Sequence, residues 1–138
     1  KIIEIYLIFF FLSYFYKIPL SKALEPHLSI SLLPLFPHVP YSEAFQGADN
    51  LTPVFDSQES VYTAIQNLLS EAKTGFDAAA APISPGAEDI VYSGDATQWR
   101  KLANALSARA YIHLGKKDAA NYGRALAAID DGAFTSNN

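Results

Sequence analysis

The 138-residue chain has no cysteine, no methionine, a single tryptophan and three histidines. Without cysteine there is no disulfide scaffold, no thiolate metal site, no thiol nucleophile and no lipid attached to cysteine within these residues. Basic charge is scarce as well: ten Lys and Arg stand against fourteen Asp and Glu, for a net charge of −4. A nucleic-acid surface needs a basic patch, so nucleic acid is not an expected partner. A glycine-rich phosphate cradle, a zinc-protease helix motif and a nucleophile elbow are all missing. The lack of methionine, with Lys1 at the start, reads as a piece of a longer protein.

The residues that are present divide near position 38. Residues 1–38 hold eight aromatics and five charged residues, whereas residues 39–138 hold ten aromatics, seven basic and twelve acidic residues. Residues 2–16 are almost wholly apolar, interrupted by Glu4 and Ser13. As a helix this run would span roughly 22 Å, short of the ~30 Å hydrocarbon core of a bilayer, and Glu4 would lie inside it. Pro19, Pro26, Pro34, Pro37 and Pro40 come next. Each removes a backbone donor and restricts its predecessor, which predicts no long helix here. Residues 1–38 therefore read as an apolar leader: a segment foreign to the downstream chain, a divergent buried helix or a degraded secretory signal. The recognisable domain is expected over 39–138.

Residues 39–55 have the composition of an ordered loop, punctuated by Pro40, Gly47, Asn50 and Pro53. Tyr41, Phe45, Leu51, Val54 and Phe55 are expected to anchor it on a core, and Ser42 is placed to cap a short turn over 42–46. Asp56, with Glu59 three residues on, has the spacing of a capping box, and Val54 or Phe55 can staple back on the first turn. Val61, Ile65, Leu68, Leu69, Ala72 and Phe76 then fall at helical spacing and predict one apolar face. That helix should fray past Gly75 and cannot pass Pro82 and Pro85. Residues 83–94 form a second loop. Asp95 with Gln98 repeats the capping signature and opens a helix over 96–114, with Trp99, Leu102, Ala103, Leu106 and Ala110 on one stripe. Gly115 stops it, and Lys116 and Lys117 suit the carboxyl end of the helix dipole. A last helix, capped by Asp118 and ended by Gly132, should turn Tyr122, Ala125, Leu126 and Ile129 inward. Residues 95–131 thus read as an antiparallel hairpin of tetratricopeptide-like size. Strand signals are weak throughout, and the fold class is all-α.

Chemistry is hard to find. His27, His38 and His113 lie in unrelated contexts, and His113 has no second ligand three or four residues away, so it reads as a hydrogen-bonded core or boundary histidine. Glu88 and Asp89 read as a solvated loop and not a catalytic dyad. Asp130, Asp131 and Gly132 read as a helix terminus, because the alternating oxygen ligands of a calcium loop are missing. Trp99 and Tyr92 could stack on a sugar face, but an apolar helix stripe favours the core. No catalytic residue, metal ligand or cofactor is expected, and the ligand-binding residues stay unassigned.

Four short motifs in order add a resemblance. PYSEA at 40–44, DSQE at 56–59, Gly94-Asp95 with Trp99, and the Ala103-Asn104 and Leu106 helix positions resemble the SusD/RagB family of surface nutrient-binding outer-membrane lipoproteins from Bacteroidetes-type bacteria. The resemblance covers residues 39–138 and identifies them as an internal piece of a larger α-helical fold. It implies non-enzymatic capture of a glycan or other nutrient at the cell surface. The partner it implies is a SusC-like TonB-dependent outer-membrane transporter, with the anchoring cysteine upstream. Ligand contacts vary among members, so none is carried over. Two other readings stand beside it, a helical-repeat module that binds protein and a non-functional gene remnant. Apolar faces left open predict that the chain alone is marginal and prone to aggregate.

Overall fold

Val61, Tyr62, Ile65, Leu68, Leu69 and Ala72 recur at spacings of three and four, and all six are buried on one side of the central helix. A computed structural model describes residues 19–36, 38–44, 46–77 and 89–134. The apolar run over 2–16, Phe45, the prolines at 37, 82 and 85, Glu88 and the last four residues lie outside the described residues. Helix α1 (Pro19–Leu32) leads to a two-residue strand β1 (His38–Val39), a 3-10 turn (Gly47–Asp49) and a second short strand β2 (Asp56–Ser57). Helices α2 (Gln58–Asp77), α3 (Ala96–Leu114) and α4 (Ala120–Ala128) come after, and a π turn (Ile129–Ala133) is the last element among the described residues. Helix α2 packs between α1 and α3, and α4 lies against α3. The expected all-α class holds, with one antiparallel bridge between β1 and β2.

The main core joins three helices. Ile30 of α1 and Leu33 just beyond it meet Val61, Tyr62, Ile65 and Leu69 of α2 and Ala103, Leu106 and Ala110 of α3. A smaller cluster of Ala108, Ala125 and Ala128, flanked by Tyr111 and Ile129, seats α4 on α3. Alanine at these positions lets the two helices of the hairpin approach closely, as the composition of 96–114 suggests.

Four expectations fail here. A 14-residue helix runs straight through Pro26. The proline removes one donor from the ladder, but its ring is fully buried, and the apolar contact offsets that loss. The central helix starts at Gln58, not Asp56: Ser57 Oγ accepts from the Ser60 N–H at 3.2 Å and is the cap. Asp56 is held extended by its pairing opposite Val39, so its carboxylate points back along the chain. Leu51, Val54 and Phe55 do not dock or staple; they are 84%, 60% and 63% exposed. Ser42 likewise caps no helix, and its hydroxyl is spent on Asp56.

Helix α4 is also rotated from the expected register. Asn121, Ala125 and Ala128 face α3, while Tyr122 is half-exposed and Leu126 exposed. Large side chains cannot enter a contact whose opposite wall is built around Ala108. The Tyr122 ring instead folds across Gly115, where any added Cβ would overlap the ring carbons. Gly115 has φ of −60°, so the glycine answers a close approach and not a left-handed turn. Gly115→Ala is expected to cost about 1 kcal/mol, modest because the half-exposed ring can swing away. Adding Tyr122→Ala should recover most of that loss in a urea melt.

Candidate functional site

The sequence motifs converge on two hydrogen-bonded knots. In the first, the Asp56 carboxylate accepts from the backbone N–H groups of Tyr41 (3.0 Å) and Ser42 (2.7 Å) and from the Ser42 hydroxyl (2.9 and 3.1 Å). The Ser42 N–H, chief among these donors, outweighs the partial burial and holds the carboxyl below its usual pKa. Glu43 accepts from Asn50 Nδ2 at 2.7 Å and the Val54 N–H at 3.0 Å, and Asn50 Oδ1 takes the Thr52 N–H. The Tyr41 hydroxyl donates to Glu25 on α1 at 2.9 Å. Burial raises the Glu25 pKa, and the Tyr41 bond opposes that rise. Gln58 Nε2 donates to the Leu33 carbonyl at 2.9 Å. Every polar side chain of PYSEA and DSQE is therefore used inside the fold: Glu59, the last of them, pairs with Lys117 on the α3–α4 turn.

The second knot surrounds Asp89, which is 7% exposed and not the solvated loop residue expected. Its Oδ2 accepts from Trp99 Nε1 at 2.6 Å and the Gly94 N–H at 2.9 Å. Its Oδ1 accepts from the N–H groups of Val91 (2.9 Å) and Tyr92 (3.2 Å). Burial works to raise the Asp89 pKa, but the indole and the three amides outweigh it and hold the group down to about 2. Ser93 at φ 53° and Gly94 at φ 80° supply the left-handed backbone that aims those amides inward. Asp95 caps α3 as expected, accepting from Thr97 and Gln98. Trp99 is core, 4% exposed, and Tyr92 meets it edge-on with ring centres 5.0 Å apart.

The remaining sequence candidates are scattered. His27 and His38 are exposed on α1 and β1. His113 Nδ1 shares a 2.8 Å hydrogen bond with the Tyr62 hydroxyl, and burial followed by the Arg109 charge lowers its pKa, so it is a neutral boundary histidine at pH 7. Asp131 is bound by Arg100 (3.2 Å) and Lys73 (3.3 Å), while Arg100 also reaches Asp77 at 2.8 Å. Asn104 donates to the Asp131 carbonyl at 2.7 Å, so this terminus serves to pin the hairpin to α2. Among the described residues no group of three His, Asp or Glu side chains could hold a metal.

One concave feature stands apart from these knots. A cleft of about 360 Å³ lies where α2, the end of α3 and the start of α4 meet, with Tyr62, Gln66, Asn67, Tyr111, Asn121 and Arg124 among its walls. Its volume sits at the low end of the roughly 300–1,000 Å³ range typical of small-molecule pockets. Gln66 is locked by two bonds to Ser107, donating to its carbonyl at 3.1 Å and accepting from its hydroxyl at 2.6 Å. Asn121 accepts from Arg124 at 2.7 Å. Sequence reading missed this cleft. The spacing of Glu59, Thr63 and Asn67 beside Tyr62 and Gln66 marks a polar flank on α2, but the facing wall exists only once the hairpin packs.

Residues 2–138 match the family model of SusD-like proteins, described as starch-binding and associating with the outer membrane. The chain belongs to this SusD-like family. The match takes in residues 2–38 as well, beyond the 39–138 over which the motifs resemble it. No curated protein matches the chain. For a SusD-like protein the two knots acquire a meaning: the recognisable motifs are those that fold the backbone, while the cleft residues lie outside or at their margins. Among the described residues of this SusD-like chain, no helix is long and apolar enough to cross a membrane.

Proposed function

We propose that the protein captures a glycan nutrient at the bacterial outer-membrane surface and passes it to a TonB-dependent transporter of the SusC-like kind. It acts as a binding protein and not as a catalyst, held at the membrane by a lipid on a cysteine upstream of this stretch. The observation that carries this reading is the family match over residues 2–138, whose description names both starch binding and the outer membrane. The site chemistry agrees with it. The carboxylates of both knots are saturated with structural donors, and the cleft presents tyrosines and amides, which suit a polyhydroxylated ligand.

Deletion of the gene tests the proposal. Cells lacking it should bind several-fold less fluorescent maltoheptaose at their surface, and the tagged full-length protein should co-purify with an outer-membrane transporter. Unchanged surface binding together with no co-purifying transporter would overturn it.

A further inference from the structure

The cleft carries more than its shape. Its rim holds two acids and two bases, Glu59 with Lys117 and Asp118 with Arg124, the latter pair 3.6 Å apart. Each charge is answered by its neighbour, so a charged ligand would have to break a pair to gain a partner. A neutral ligand meets no such cost. The floor is pre-formed: Tyr62 is 2% exposed and bonded to His113, and Gln66 is clamped at both ends by Ser107. Rigid floors lose little entropy on binding.

Two wall residues are left with unused polar groups. The Asn67 amide and the Tyr111 hydroxyl form no hydrogen bond among the described residues, although Tyr111 is half-buried against the Ala108, Ala125 and Ala128 cluster. A primary amide offers one acceptor and two donors side by side, which matches two adjacent hydroxyls. A tyrosine ring offers an apolar face for the C–H side of a sugar and a hydroxyl at its edge. We propose that this cleft is a subsite for a short neutral saccharide of one or two rings, with Asn67 binding its hydroxyls and Tyr111 lining its apolar face. The inference rests on the glycan-capture reading and gives it a location and a charge preference.

The test is a titration of the full-length protein that contains these residues with maltotriose and, separately, with a trimer of galacturonic acid, monitored by saturation-transfer NMR. Maltotriose should bind, and the uronic trimer should bind up to about fivefold more weakly, the scale of one exposed ion pair. Asn67→Ala should weaken maltotriose binding by about tenfold, the scale of one or two net hydrogen bonds. Thr63→Trp, which fills the cleft from an exposed position on α2, should abolish it. Circular dichroism confirms that each variant keeps its helices. Maltotriose binding that survives both substitutions would overturn the cleft while leaving glycan capture standing. So would a folded chain that binds neither sugar when surface binding still depends on the gene. Equal or tighter binding of the uronic trimer would overturn the charge preference. If the folded chain binds neither sugar and gene deletion also changes nothing, both proposals fall.

Discussion

Asp89→Ala should lower the melting temperature by about 10 °C. The carboxylate accepts from the Trp99 indole and from three backbone amides, and the site is 7% exposed. Alanine would leave those donors facing a space with no acceptor, and a buried donor without a partner costs far more than an average hydrogen bond contributes. Asp89→Asn should fall between the unsubstituted protein and Asp89→Ala, because one amide oxygen can replace only part of the carboxylate. Trp99→Phe removes the indole donor, so Asp89→Ala and Trp99→Phe together should cost less than the sum of the two. Thermal melts of the four proteins supply that cycle, and strict additivity would contradict the knot.

The same knot sets an acid limb. The folded pKa of Asp89 is held down to about 2, below the ordinary 3.8. A carboxyl with a depressed folded pKa adds stability that is fully present above the unfolded value. That stability is lost as pH falls through the folded one. The Asp89 contribution should therefore be intact above about pH 4 and drain away between about pH 4 and pH 2. In Asp89→Asn this part of the acid dependence should be missing.

How much of the fold and the site is legible in the sequence depends on the distance over which each signal acts. Helix α3 runs over Ala96–Leu114 with Asp95 as its cap, as the local spacing predicts, because cap, stripe and stop lie within one element. Asp56 misleads for the opposite reason. Its spacing to Glu59 is that of a capping box, yet its partners are Tyr41 and Ser42, 15 and 14 residues earlier, brought opposite by the β1–β2 bridge. A short-range pattern lost to a tertiary contact that no local window contains. Asp89 misleads because an acidic residue in a Gly-containing turn is usually solvated, and only its burial beneath Trp99 makes it an anchor. The cleft shows the limit most plainly. Asn67 is an unremarkable polar residue on the outer flank of α2 until Tyr111 and Asn121 arrive from other elements.

Ile30→Ala and Leu33→Ala should each cost about 2–5 kcal/mol, the range for emptying a fully buried aliphatic site. Both side chains are at most 1% exposed and reach Val61, Ile65 and Leu69 of α2. They share one cluster, so the double variant need not equal the sum. A domain of this size is stable by only about 5–15 kcal/mol, and the pair should leave it largely unfolded at 37 °C. Leu35→Ala, two residues further on and 71% exposed, is the control and should stay within about 0.5 kcal/mol. Urea denaturation of these variants decides where the folded unit begins. Composition alone sets residues 1–38 apart, since they are apolar, proline-broken and nearly uncharged. Yet the apolar face of α2 needs a cover beside α3, and α1 supplies it with Ile30 and a fully buried Pro26. A mostly apolar helix suits such a cover, because polar groups buried there would each need a partner. If Ile30→Ala and Leu33→Ala prove as mild as Leu35→Ala, α1 is an appendage and the domain starts at Val39. If they cost several kcal/mol, α1 is a layer of the folded unit.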